Sequence, residues 1–311
     1  MIGEKLDRYT ILEIVGSGSM GTVYKAEDPQ GHLVALKLVR SQVLYSMEKR
    51  EHFLQCLLAA SEIRHPGVCP ILDIGDSNDD FFVVMPFIRG KTLEQSMEKR
   101  PVPWPQALDI ASAAGSALEA IHAAGAAHRG LKPANIWIMD EDRRTVLLSD
   151  CCVARFTEIA RHGRVRPSAL EVDFADTLIP LGALAYMSPE QVRGESVDCR
   201  TDIFSFGVVL FEMLSGRHPF DARSSLAQIS AILEAEPAPL ASKQAPVPLV
   251  LEPILHKSLA KKPEDRYRGM AELLADLECV RREASSKPSS GKAPTGFRKW
   301  FSPQFWHSSG K

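Results

Sequence analysis

Gly16-Ser17-Gly18-Ser19-Met20-Gly21-Thr22-Val23 sits between two β-forming runs, Tyr9 to Val15 before it and Thr22 to Glu27 after it. A glycine pattern of this spacing opens a helix where it grips a dinucleotide, whereas the residues that follow here favour a strand. The strand context argues against dinucleotide binding. It predicts a hairpin lying flat over phosphates, its backbone N–H groups reaching oxygens that side chains would obstruct. Working outward, Val34-Ala35-Leu36-Lys37 falls on the next β-rich run, Leu33 to Val39, and brings an ammonium within reach of the same phosphates. The turn signal Asp28-Pro29-Gln30-Gly31 separates these two runs, so the segment predicts an antiparallel meander.

The period becomes helical from Ser41 to Arg64, and His65-Pro66 closes that segment because the residue before a proline is pushed out of the α region. Two more strands are expected near Cys69 to Gly75 and Phe81 to Met85. Beyond Gly90 the pattern predicts helices over Thr92 to Lys99, Trp104 to Gly125, Thr201 to Ser215, Ser224 to Glu234, Leu249 to Leu259 and Met270 to Arg282. The Ala-rich stretch from Trp104 to Gly125 carries Asp109 and Glu119, which makes it a buried helix of a soluble lobe rather than a membrane span. The expected fold class is α+β, a small antiparallel β lobe with one helix followed by a larger α-helical lobe.

The 311 residues are 45% hydrophobic and 24% charged, a composition that excludes disorder, collagen and coiled coil. No apolar run approaches the roughly 18 residues that span a bilayer, and Met1 to Thr10 carries charge where a signal peptide needs an apolar core, so a cytoplasmic location is expected. Six cysteines show no C-x-x-C pair and no histidine at zinc spacing, which fits reduced thiols. The net charge of −2 gives no argument for nucleic acid, but it is a cancellation. From Arg281 to Lys311 there are seven Lys and Arg against Glu283 alone, while the rest of the chain has 30 Lys and Arg against 38 acidic residues. That tail, with Phe297, Trp300, Phe301, Phe305 and Trp306, reads either as a disordered end or as a weak docking element for a membrane or an acidic partner.

Further motifs follow in order: His128-Arg129-Gly130-Leu131-Lys132-Pro133-Ala134-Asn135, Ser149-Asp150-Cys151-Cys152, Ser188-Pro189-Glu190, Asp202-Ile203-Phe204-Ser205-Phe206-Gly207 and Pro263-Glu264-Asp265-Arg266-Tyr267. With these in place the chain resembles the eukaryotic-type protein kinases, and Tyr186-Met187-Ser188-Pro189-Glu190-Gln191 looks most like their bacterial serine/threonine branch. The resemblance covers residues 8–283, divided into an N-lobe (8–85), a hinge (86–90) and a C-lobe (91–283), with 284–311 as the tail. It implies a nucleotide site made by Val15, Gly16, Gly18, Gly21, Val23, Ala35, Lys37, Met85 as gatekeeper, and Pro86 and Ile88 of the hinge. Pro86 fits because the family uses only its carbonyl for adenine, while Ile88 keeps its N–H. Asn135 and Asp150 match the two magnesium-holding side chains, and Lys132 matches a retained catalytic lysine. The implied cofactor is ATP, with or without magnesium.

The departures from the family pattern cluster on phosphotransfer. Gly130 stands where the family has the aspartate that accepts the substrate hydroxyl's proton, and no carboxylate lies between Arg129 and Met139 to replace it. Such a base is worth roughly 10²–10⁴ in rate. An ungapped count back from His65 puts Cys56 at the helix glutamate that pairs with the strand lysine; Glu51 and Glu62 fall more than about 100° away on a helical wheel, although a register change would bring Glu48 or Glu62 back. Cys151 and Cys152 replace Phe and Gly after the metal aspartate, and Ala183 replaces a threonine. The brace residues Glu190, Asp202 and Arg266 stand as the family has them.

The pattern therefore points to a pseudokinase that binds ATP and acts through a protein partner, as a regulator or scaffold. Two readings stay open beside it: an active but slow serine/threonine kinase, and an interaction module with an empty cleft. Cys151 and Cys152 read as small core filler, or as a redox pair. The segment from Asp150 to Glu190 holds Thr157, Ser168 and Thr177 together with Arg155, Arg161, Arg164 and Arg166, a composition open to phosphorylation-driven ordering.

Overall fold

The computed structural model describes residues 2–18, 21–39, 47–77, 80–140, 145–151, 181–240 and 247–286. The expected phosphorylation segment beyond Cys151, Cys152 itself and almost all of the tail lie outside these residues.

Six strands form one antiparallel sheet: β1 (Lys5–Leu6), β2 (Tyr9–Gly18), β3 (Gly21–Glu27), β4 (Leu33–Val39), β5 (Asp73–Ser77) and β6 (Asp80–Pro86), in the spatial order β1-β2-β3-β4-β6-β5. The alternation of β6 sorts its side chains by face. Phe81, Val83 and Met85 pack with Val39 and with Phe53 and Leu57 of α1 (Met47–Ser61), whereas Phe82 and Val84 join Tyr9, Ile11, Tyr24, Val34 and Leu36 on the opposite side. The meander is thus held by two apolar layers, and only one of them carries a helix.

Two boundaries differ from expectation for identifiable reasons. The expected strand from Cys69 starts at Asp73 instead, because the Cys69 N–H donates to the Leu148 carbonyl at 2.8 Å and Pro70 has no N–H to give a ladder. The helix expected to reach Arg64 stops at Ser61, after which Glu62 and Ile63 donate three residues back, at 3.3 and 3.2 Å, in tighter turns. Leu148 also donates to the Gly67 carbonyl, so this short connection ties the β lobe to the helical lobe.

The larger lobe opens with a second sheet that the sequence pattern does not predict, β7 (Gly90–Thr92), β8 (Ile136–Met139) and β9 (Val146–Leu148), in that spatial order. Its helices are α2 (Leu93–Met97), α3 (Trp104–Ala123), α4 (Leu181–Leu184), α5 (Pro189–Arg193), α6 (Arg200–Ser215), α7 (Ser225–Glu234), α8 (Leu251–Ser258) and α9 (Met270–Ser286). Thr92 and Gln95 make a reciprocal capping box that starts α2, and Ser188 and Gln191 do the same for α5. Helix α6 is buried nearly all round, as a central core helix must be. Helix α9 crosses α3 at Gly115, where a Cβ would stand 2.6 Å from Leu274. Among the described residues, no helix is long and apolar enough to cross a membrane.

Candidate nucleotide site and catalytic loop

The loop bearing Gly130 is fixed from below by one carboxylate. Asp202, in the first turn of α6 and fully buried, accepts the backbone N–H groups of His128 and Arg129 at 2.7 Å each and the Nε2–H of His122 at 2.8 Å. The N-terminal end of a helix favours a negative charge there. His128, itself fully buried, accepts from the Gly130 N–H through Nδ1 at 3.3 Å, so its Nε2 carries the hydrogen and donates to the Ser149 carbonyl at 3.0 Å. Burial pushes the imidazole below its ordinary range, which agrees with this neutral tautomer. Asn135 Nδ2 donates to the Gly130 carbonyl at 2.8 Å, and Gln191 Nε2 to the Arg129 carbonyl at 2.9 Å. The loop is therefore held in shape by hydrogen bonds on both sides of Gly130, while the position that should carry a base carries no side chain.

The strand register brings the candidate nucleotide residues together. Directly opposed residues of an antiparallel pair share a face. Val23 is opposite both Gly16 and Lys37, Lys37 is also opposite Val83, and Ala35 is opposite Met85. Gly16, Val23, Ala35, Lys37 and Met85 thus line one side of the sheet, and Pro86 ends β6 beside them. Ile88 packs at the edge of the same apolar cluster as Met85. Val15 is half exposed next to Gly16, where the β2–β3 register shifts. The glycines divide into two kinds. A Cβ on Gly21 would stand 1.8 Å from the Leu38 carbonyl oxygen, so the fold itself requires that glycine. Among the described residues nothing lies within 4 Å of a Cβ built on Gly16 or Gly18, and neither has a positive φ.

Across this cleft Lys37 Nζ meets Asp150 Oδ1 at 2.7 Å, with only 9% and 25% of the two side chains exposed. Burial opposes ionisation of Asp150, but the Lys37 ammonium, helped by Lys132, outweighs it and holds the carboxyl below its ordinary range. Asp150 and Arg129 are both left-handed, with φ of 61° and 62°, and such strain in non-glycine residues is concentrated at functional sites. The Asn135 amide nitrogen is spent on Gly130, which presents its oxygen as the atom able to ligate a cation; with Asp150 it makes a donor pair of the hard-oxygen type that magnesium takes.

Among the described side chains of α1, no glutamate pairs with Lys37. Cys56 is half-buried between the two large apolar clusters, while Glu51 and Glu62 are solvent-exposed. Among the described residues the ion pair of Lys37 is the one to Asp150. The side chain of Glu48 lies outside the described residues. Cys151 is buried in the main core, in keeping with small filler, and the described cysteines form no disulfide. Ala183 is half-buried in α4. Cys69 has its thiol pushed up to about 12 by burial and by the nearby charge of Asp150, which leaves it inert.

The brace of the large lobe is complete. Arg266 donates from Nη1 and Nη2 to the two oxygens of Glu190 at 2.7 Å each, and gives its remaining hydrogens to the carbonyls of Ala260, Arg200 and Lys261. All five guanidinium donors are used. Sequence reasoning did not find the tie from Gln191 to Arg129 or the contact of Tyr186 with Glu212 at 2.6 Å. Only the first had a signal, the Ser188-x-x-Gln191 spacing of a capping box.

The protein kinase domain family matches residues 9–276. A probable serine/threonine-protein kinase of Clostridium perfringens, CPE1738, is 31% identical over 94% of this chain and 41% of its own length. The serine/threonine-protein kinase PknB of Mycobacterium leprae is 31% identical over 93% of this chain and 45% of its own. The chain thus spans less than half the length of these relatives. Among solved structures, the PknI kinase domain of Mycobacterium tuberculosis superposes with a TM-score of 0.65 over 89% of this chain and 98% of that one; at 23% identity this is a likeness of fold.

Proposed function

The chain belongs to the protein kinase domain family, in its bacterial serine/threonine branch, and on that premise we propose that it is an ATP-binding pseudokinase acting by conformation, as a regulator or scaffold for a protein partner. The observation that carries this reading is Gly130. The loop around it is held by hydrogen bonds, yet no described carboxylate takes over the proton-accepting role. Loss of a positioned base removes roughly 10²–10⁴ in rate, and no described glutamate of α1 pairs with the strand lysine.

Nucleotide binding is supported by the glycines. The described residues give no reason for Gly16 or Gly18 to lack a side chain, so the reason is sought in a ligand that comes close to the backbone. The adenine would lie against Val15, Val23, Ala35 and Met85, with the backbone of Pro86 and Ile88 as its polar edge, and Lys37 would hold the phosphates. Magnesium, when bound, would be held by Asn135 and Asp150 and would neutralise phosphate charge. The unit carrying this site is proposed to be residues 8–283, with the basic tail as a separate docking element.

A second reading, a slow kinase, draws on Lys132. Its charge acts on Asp150, so an electrostatic part of the transfer machinery remains. A thermal-shift titration tests the nucleotide claim: saturating ATP raises the melting temperature because it binds the folded state alone. No shift at millimolar ATP would refute it.

A further inference from the structure

Resting on the nucleotide-binding reading above, we propose that this cleft takes a triphosphate nucleotide without any divalent cation. Two observations lead there. The first is occupancy of the metal carboxylate. Lys37 Nζ already sits on Asp150 Oδ1 at 2.7 Å, and no described glutamate of α1 draws it away. A cation entering here has to compete with an ammonium for a charged oxygen, and magnesium binds through one or two carboxylates together with phosphate oxygens. Asp150 is the one carboxylate that the described residues offer at this place, since Asn135 is neutral.

The second is the charge of the cleft. Among the described residues the charges of Lys37 and Lys132 both act on Asp150, a surplus of one positive charge, and Gly130 and Cys56 carry no carboxylates. A carboxylate about 6 Å from a phosphate, at the dielectric of a protein surface, weakens binding on the order of ten- to a hundred-fold. A cleft lined by extra carboxylates needs a cation to offset that repulsion, whereas the one carboxylate described here, Asp150, is already countered by Lys37. The triphosphate finds two ammonium groups instead, and Lys37, whose ammonium has three N–H donors, can reach phosphate oxygens while keeping Asp150 as a partner.

The test is direct binding of ATP, by calorimetry, in excess EDTA and in excess magnesium. The dissociation constant in EDTA is expected within about three-fold of that in magnesium, or below it. Binding that needs magnesium, weakening about ten-fold or more in EDTA, overturns this inference and leaves the nucleotide site standing. Absence of binding in both buffers overturns the nucleotide site itself and this inference with it. Two variants carry the argument further. Asp150→Asn frees Lys37 for the phosphates and is expected to tighten metal-free binding about two- to ten-fold; a comparable loss contradicts the proposal. Gly130→Asp, at a position whose φ is not positive, is expected to weaken metal-free binding about ten-fold and to create a magnesium requirement. Equal affinity of Gly130→Asp with and without the cation contradicts the charge argument.

Discussion

Lys37 and Asp150, 113 residues apart in sequence, meet at 2.7 Å across the cleft between the two lobes. The pair joins the middle of a strand in the small lobe to the end of the catalytic region in the large one. Removing the lysine leaves a mostly buried carboxylate unpaired. For a pair this close to the cleft edge the cost of Lys37→Met is about 1–3 kcal/mol at neutral pH, below that of a fully buried pair.

The same pair sets a pH dependence. The Asp150 carboxyl is held below its ordinary range in the folded protein, so its contribution is present above about 3.9, the unfolded value, and is lost as pH falls through the folded one. Urea unfolding of wild type and Lys37→Met is expected to show the larger difference at pH 7 and a shrinking one below about pH 4. A difference independent of pH would speak against the ion pair.

The glycines separate fold from ligand. Gly16→Ala and Gly18→Ala are expected to keep or raise stability by up to about 1 kcal/mol, because they restrict the unfolded chain where nothing obstructs a Cβ, and to weaken ATP binding. Gly21→Ala meets the Leu38 carbonyl and is expected to cost about 2 kcal/mol or more. Chemical denaturation beside calorimetric ATP binding reads both effects; equal stability loss in all three variants contradicts the distinction.

Glu190 and Arg266 are buried together, with 4% and 0% of their side chains exposed. Glu190→Leu or Arg266→Met alone is expected to cost about 3–5 kcal/mol, since each leaves the other charge buried without its partner. The double variant is expected to cost less than the sum of the two. Strict additivity in a double-mutant cycle would contradict the coupling.

Lys261 donates to the carbonyls of Ala231 and Ile232 at the end of α7 and lies 3.9 Å from the centre of the Phe220 ring. Burial brings its amine down to about 8. Between about pH 8 and the unfolded value near 10.4, the folded state then binds fewer protons than the unfolded one, so stability rises with pH across that interval. Unfolding measured at about pH 8 and about pH 10 is expected to show that rise in the wild type and less of it in Lys261→Met; identical pH profiles would rule it out.

Much of this architecture was legible in the sequence because period and punctuation carry it. Leu33–Val39 and the helix starting at Trp104 fall where the strand alternation and the helical period put them. The β7-β8-β9 sheet was not legible, since strands of three and four residues have too few side chains to show a period. At the site, Gly130 and Cys56 announced their departures as residue types. The pairing of Lys37 with Asp150 did not, because it depends on how the two lobes meet. Nor did the fixing of the loop by Asp202, where the bonds run to backbone N–H groups that any sequence would supply.

The claim that this kinase fold has lost its chemistry is tested most directly by radiolabelled phosphate transfer from ATP, in the wild type and in Lys37→Ala side by side. The account expects no label in the wild type beyond that in the variant. Robust labelling of the wild type, abolished by Lys37→Ala, would contradict it.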